Sequence, residues 1–364
     1  MWNEDGKDRI IYFNFIYGAC GKTINYVCEA TLDLVQEVKI DIDIPFQDED
    51  LIKTFKDTIA KIRSSGGRPR LALFDTIVSM PGIRLPFEDL VEICAGEDIL
   101  SLVDGAHGIG HIPLDLGTLE PDFFVSNCHK WLYAPRGCAV FHVPVKHQDS
   151  MRSTLPTSHG FIPRGATVDR GPLPANDKSA WVSNFEFVGT IDSSPYLCIP
   201  ESVDFRTDVC GGETAIMQYC TNLAQSGGKK VAEILNTEVL ENRGVMANCA
   251  MTNVRLPISI STLSDGHEDD EVVILESDVQ KTITWLLETM MSEYKTFVPV
   301  IRIKDNLWVR MSGQTYLDFE DFVWAGKMLQ ALVKRVGEKE YLGLETKSEV
   351  VEGGDLAEEG VGGL

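Results

Sequence analysis

The apolar residues of this chain fall into short runs closed by turn chemistry and separated by stretches with helical spacing. Ile99–Val103 ends in Asp104-Gly105. Phe123–Val125 ends in Ser126-Asn127-Cys128-His129-Lys130, and Ala139–Val143 follows an Arg136-Gly137 turn. Runs of this length between turn formers read as buried strands. Upstream, residues 10–30 (IIYFNFIYGACGKTINYVCEA) read as strand, turn and helix start, after a frayed beginning. Residues 37–42 read as a strand and 48–65 as a helix. Residues 68–82 (RPRLALFDTIVSMPG) read as a strand with a loop turned by Pro81-Gly82. Leu85–Gly96 has amphipathic spacing and a closing glycine. This alternation predicts an α/β fold with a mostly parallel sheet covered by helices. In such a sheet, ligands bind just past the C-terminal ends of the strands. That edge would carry Tyr17, Asp104, His107, Asn127, His129 and Lys130.

The second half changes character. Residues 152–165 (RSTLPTSHGFIPRG) are rich in turn formers. Tyr196 to about Asn248 reads as helical. From Asn253, short strands alternate with helices, which predicts a small α/β domain with Arg302 and Arg310 on strands. SDGHEDDE (264–271) is an acidic loop, and the segment beyond Gly337 is acidic, Gly-rich and poor in aromatics, as in disordered tails. The expected organisation is a large domain over 1–195, a connecting helical segment over 196–250, a small domain over 251–336 and a disordered tail over 337–364.

Charge and cysteine usage narrow the function. Among 364 residues, 55 Asp and Glu against 33 Lys and Arg give a net charge of −22. Such a chain repels nucleic acid and anionic membranes. No apolar run reaches the ~18 residues that span a bilayer. The polar, acidic start resembles neither a secretory signal nor a transit peptide. Nine scattered cysteines without a CxxC pair fit reduced thiols in a cytoplasmic setting better than disulfides or a zinc site. The histidine spacings match no metal site. The glycines at 105, 108 and 110 leave the dinucleotide fingerprint incomplete.

The candidate chemistry centres on Lys130. A lysine beside an aromatic residue (Trp131) at the end of a buried strand is desolvated, and a desolvated amine is a carbonyl nucleophile. Asp104 on the preceding strand is what a pyridinium nitrogen requires. A lysine Schiff base plus an aspartate on the ring nitrogen marks a pyridoxal phosphate (PLP) site. The competing reading is a surface Asp and Lys at two strand ends.

The stretch VDGAHGIGHIPLDLGTLEPDFFVSNCHKWLYAPRGCAVFHV, with its lysine 26 positions after the Asp, resembles the lysine segment of the class V aminotransferase family. With IYGACGKT, FDTIVSMPG, TSHGF and NFEFVGTID, it is most similar to the isopenicillin N epimerase-like and fungal hercynylcysteine sulfoxide lyase-like branch. The resemblance runs from about Ile10 to Arg335. It implies a fold-type I PLP enzyme in which Lys130 carries the cofactor and Asp104 faces its ring nitrogen. Tyr17 would stack on the ring and pass a proton, and His107 and Ser79 would meet the ring or its phenolic oxygen. Asn127 and His129 would hold the phosphate, Thr190 would reach a partner's phosphate across a homodimer, and Arg310 would clamp the substrate carboxylate. His159 would contact substrate, so Lys130, Tyr17 and His159 form the catalytic set. Alternatives at single positions stay open: a core tyrosine at 17, turn residues at 79 and 107, a loop cap at 159, a loop threonine at 190.

The implied reaction is carbon–sulfur lysis of a cysteine-conjugate sulfoxide, as in ergothioneine biosynthesis. Epimerisation and annulation are the alternatives within the family. A desulfurase would need a mobile-loop cysteine after Thr190, where only Cys198 and Cys210 occur. Relatives carry roughly a hundred more residues at the start, including a turn that helps hold the phosphate, on the scale of large α/β domains. A non-catalytic fragment that still dimerises is therefore the reading from another class.

Overall fold

The computed structural model describes residues 2–152, 161, 178–186, 188–262, 266–268 and 271–343. Its first sheet has six strands, in the order Val35–Ile40, Asp8–Phe13, Arg68–Asp75, Leu100–Asp104, Phe123–Asn127 and Ala139–His142. Neighbours run parallel except the last pair, which is antiparallel. Alternate residues feed opposite faces, as the pleat requires. Ile11, Phe13, Phe74, Val103 and Phe124 pack on one side against the helices Asp48–Ser64 and Phe87–Gly96. Ile10, Tyr12, Leu71 and Leu73 face the other side, under the helix Gly18–Ala30.

Local sequence explains these helices. Asp48–Ser64 buries Leu51, Phe55, Ile59 and Ile62, a stripe at helical spacing. Acids fill its first turn, and Lys61 and Arg63 its last, matching the helix dipole. The beginning of the chain is tied down rather than frayed. The fully buried Asp8 carboxylate accepts from the Asn3 backbone at 2.7 Å and pairs with Arg68.

The second sheet orders Gly266–Glu268, Glu271–Leu275, Met251–Ser261, Asn306–Ser312 and Val300–Ile303. The helices Val279–Glu293 and Phe319–Gly337 contribute Leu286, Met290, Phe322 and Leu329 to its core, together with Val231 of Glu213–Leu235. A capping box, with Asp318 and Asp321 bonded reciprocally, starts the last of these helices.

Two expectations need correction. The 196–250 stretch is helical only over Ser194–Leu197, Ile199–Asp208 and Glu213–Leu235. Asn236 takes a left-handed conformation (φ 53°) and ends the helix. The following loop is fastened to Asp48, whose carboxylate accepts from Asn242 Nδ2 at 2.7 Å and Val245 N at 2.9 Å. Nor does disorder begin at 337. Glu340–Gly343 forms a 3₁₀ turn whose Tyr341, 1% exposed, joins the small-sheet core. Residues 344–364 lie outside the described residues.

Candidate active site

Three parallel strands end in polar groups along one edge. Asp75 and Asp104 are neighbours in register, and Asp104 also pairs with Val125, two residues before Asn127. Gly105 follows Asp104 because a Cβ there would stand 2.3 Å from Phe124 Cζ. The chain then folds into a tight loop. Ala106 N donates to Asp104 Oδ1 at 2.9 Å, and Ser126 Oγ bonds Gly105 O and Ile109 N. Gly110, at φ 75°, allows this loop to lie against the Trp131 carbonyl, 2.6 Å from where a Cβ would sit.

Lys130 does not sit on a strand. The strand Phe123–Asn127 passes into a single helical turn, Cys128–Trp131, which swings the lysine back over the edge. Cys128 is fully buried, as a packing residue should be. Lys130 Nζ lies 3.1 Å from His107 Nε2 and 6.0 Å from the centroid of the Tyr17 ring. Burial depresses the Lys130 pKa, and Asp104 and Asp75 oppose this while Arg310 adds to it. His107 is held on its other nitrogen by Trp131 Nε1, at 3.0 Å. Burial, then the charges of Lys130 and Arg310, push the His107 pKa down to about 2, so its ring is neutral near pH 7.

Tyr17 precedes the helix Gly18–Ala30 and is 56% exposed, its face open beside the lysine. Cys20, one turn further, places its thiol 3.4 Å from Asp104 Oδ2. Burial and that carboxylate raise the Cys20 thiol to about 12, so it is no nucleophile near neutrality. Asn127 ends its strand half-buried, and two residues on His129 has a buried Nδ1 with no hydrogen-bond partner among the described residues.

Arg310 arrives from the second sheet on the strand Asn306–Ser312. Its Nη1 donates to Ser79 O at 2.6 Å, and its buried Nε has no partner. Among the described residues no carboxylate pairs with it, and burial lowers its pKa. Arg302, its competitor, pairs instead with Glu276. The two sheets' segments are clasped beside Arg310. Asn253, its cross-strand neighbour, donates from Nδ2 to Gly82 O at 2.9 Å and accepts from Gly82 N at 3.0 Å.

The structure therefore brings Tyr17, Asp104, His107 and Lys130 together and sets Ser79 and Arg310 against each other. Thr190 is exposed in a loop. His159 lies outside the described residues. Sequence reasoning missed Asp75, Asn253 and Arg206. Asp75 is deeply buried, and burial followed by the Asp104 charge raises its pKa well above the usual range. Its position one strand over in FDTIVSMPG was the available signal. Arg206 is fully buried and donates to Trp131 O at 2.7 Å and Gly110 O at 2.9 Å while paired with Glu213. An arginine in a polar helix carries no sequence mark of such a role.

These residues fit PLP. An open aromatic face stands beside a half-buried lysine, a buried carboxylate lies at the next strand end, and an unpartnered imidazole nitrogen flanks the lysine. Among the described residues no His, Cys, Asp and Glu group could hold a metal ion, and no helix is long and apolar enough to cross a membrane.

Comparison with known proteins agrees. A profile for "Aminotransferase class-V" matches residues 14–164. The L-cysteine desulfhydrase-like protein lolT1 of Epichloe uncinata is 38% identical over 358 residues, covering 93% of this chain and 78% of that protein. The hercynylcysteine sulfoxide lyase of Schizosaccharomyces pombe is 28% identical, covering 90% of this chain and 74% of that protein. Among solved structures, the cysteine desulfurase CsdA of Escherichia coli superposes with a TM-score of 0.64 at 15% identity, over 90% of this chain and 72% of that one. The chain belongs to the class V aminotransferase family and is a PLP-dependent enzyme of fold type I.

Proposed function

We propose that the protein is a carbon–sulfur lyase acting on a cysteine-derived amino acid, with an S-substituted cysteine sulfoxide as the favoured substrate. The observation that carries it is the half-buried Arg310, which reaches the site from the second sheet with its Nε buried and, among the described residues, no carboxylate paired with it. A guanidinium offers a planar fork for one α-carboxylate, and burial makes that pairing strong. Lys130 would hold the cofactor together with Asp104, Tyr17, His107, Asn127 and His129. The cofactor, when bound, supplies an electron sink next to Cα. Arg310 fixes the carboxylate, and Lys130 Nζ takes the Cα proton. Depression of the lysine pKa keeps more of its amine free for that transfer. The sulfur group leaves from Cβ and takes up a proton, as a thiol or, from a sulfoxide, a sulfenic acid, and water hydrolyses the remaining three-carbon enamine to pyruvate and ammonia.

The relatives named above support cysteine-type substrates, and the sulfoxide reading leans on the more distant of them. A homodimer is part of the same proposal. Leu197, Val203, Phe205 and Val209 stand exposed over Ser194–Leu197, Ile199–Asp208 and the residue after, an apolar surface suited to a second copy. A cytoplasmic location fits the nine free thiols. The test is reconstitution with PLP, followed by pyruvate release from L-cysteine and from S-substituted cysteine sulfoxides. The expected result is a visible band that borohydride abolishes, with faster release from the sulfoxides. A bound cofactor without pyruvate from any cysteine derivative would overturn the lyase, and equal rates would overturn the preference.

A further inference from the structure

We propose that Trp131 is a positioning residue for Lys130: its indole N–H fixes His107 as the Nε2–H tautomer, aiming a donor at the lysine amine. The inference deepens the proposed function and rests on it for its catalytic meaning, but its geometry belongs to the chain alone.

Indole is a donor only. Trp131 Nε1 meets His107 Nδ1 at 3.0 Å, and both side chains are buried. Nδ1 must therefore accept. A neutral imidazole has one proton, which then resides on Nε2, the atom 3.1 Å from Lys130 Nζ. An Nε2–H donor needs a lone pair on Nζ. It matches the free amine and opposes the ammonium, which would bring donors against a donor.

The indole is itself held. Its ring stacks on His111 with centroids 3.7 Å apart, and the Trp131 carbonyl takes the Arg206 bond. His111 is fixed in turn. Ala250 N donates to its Nε2 at 2.7 Å, so its Nδ1–H donates to His107 O at 2.9 Å. A chain of bonds thus runs from Ala250, just before the strand Met251–Ser261, to the lysine. The groups acting on Lys130 are Asp104, Asp75 and Cys20, which favour its charge, and Arg310, which opposes it. The open face of Tyr17 lies beyond, 6.0 Å away. His107 stands against the carboxylates. Trp131→Phe keeps a ring on His111 but removes the N–H. His107 is then free to carry its proton on Nδ1 and accept from a lysine ammonium at Nε2.

The experiment uses the cofactor-free full chain with ¹⁵N-labelled imidazoles, the His107 signals being assigned by their loss in His107→Gln. Wild type should show the Nε2–H tautomer and Trp131→Phe a shift towards Nδ1–H. The pH profile of Lys130 acylation, read by peptide mass spectrometry, should move up by about one unit in Trp131→Phe, the order of one hydrogen bond. Adding Trp131→Phe to His107→Gln should move it no further. An Nδ1–H tautomer in wild type overturns the proposal. So does an unchanged Lys130 profile in a Trp131→Phe chain whose His111 signals remain native. Should Trp131→Phe not fold, the wild-type tautomer alone decides. Nε2–H in a chain that forms no adduct with PLP would sink the proposed function and leave this positioning intact.

Discussion

The two sides of the site are built in opposite ways. On the first-sheet edge, Lys130, His107, Trp131 and Asp104 are already bonded within the chain, His107 at both nitrogens. On the second-sheet side, half-buried Arg310 has one backbone carbonyl and, among the described residues, no partner for its buried Nε and no acid. Even a half-buried charge without a counter-ion carries a desolvation cost. The first-sheet edge is thus a preformed holder, and on the proposed function Arg310 is a half-finished contact that the substrate carboxylate would complete.

The largest effect is expected at the holder. Lys130→Ala should abolish the borohydride-sensitive band and lower turnover by roughly 10³-fold or more, since it removes both the attachment point and the base. A variant that kept the band would place the covalent link elsewhere and break the comparison on its first side. Next comes Arg310→Lys, which keeps a charge but loses the fork. Truncating a buried, hydrogen-bonded charge pair costs about 2–5 kcal/mol, so kcat/KM should fall roughly 10²-fold, mainly through KM. Competitive inhibition by small carboxylates should weaken in parallel. An effect confined to kcat would mean that Arg310 acts on the reacting centre and not on the carboxylate.

Asp75 and Asp104 sharpen the comparison within the edge itself. Asp104 accepts from Ala106 N and faces the Cys20 thiol, whereas burial and Asp104 hold the Asp75 carboxyl well above its usual range. A folded-state pKa above the unfolded one means that the folded chain keeps a proton the unfolded chain has lost. Stability from this group is present in acid and is lost as pH rises towards the folded value. Asp75→Asn removes that loss. Its thermal midpoint should match wild type in acid and exceed it near neutrality, and a variant less stable than wild type at pH 7 would show that the Asp75 charge is used. Asp104→Asn should instead weaken cofactor binding and turnover together.

Much of this edge was legible because its polar residues follow apolar runs directly. Asp104 closes ILSLVD, and the SNCHK cluster closes DFFV, so strand periodicity placed them without help. The Arg310 strand was equally plain. What could not be read was anything depending on a neighbour far along the chain. Arg206 looks like one more charge in a polar helix, yet it is buried under the carbonyls of Gly110 and Trp131. Asn253 is an ordinary strand residue until Gly82 meets it. Tyr341 lay in a segment whose composition argued for disorder, and one buried ring outweighed that average. The helix from 213 was readable, but its end at Asn236 depends on a left-handed turn that periodicity does not report.

Tyr17 should give the smallest effect, and it tests how complete the preformed edge is. Unlike its neighbours it is largely exposed, and its contact with Lys130 is a ring face at 6.0 Å, the outer limit of cation–π attraction. Stacking needs only the ring, and stacking is worth about 0.5–1.5 kcal/mol. Tyr17→Phe should therefore leave PLP affinity and turnover within about twofold, while Tyr17→Ala should weaken affinity roughly two- to tenfold. If the phenol passes a proton, Tyr17→Phe will instead lower kcat with affinity intact. The Lys130 pH profile supplies a second check. An amine whose charge the His107 donor opposes gains less from a ring quadrupole, so that profile should stay in place in Tyr17→Phe and move only when Trp131 loses its N–H.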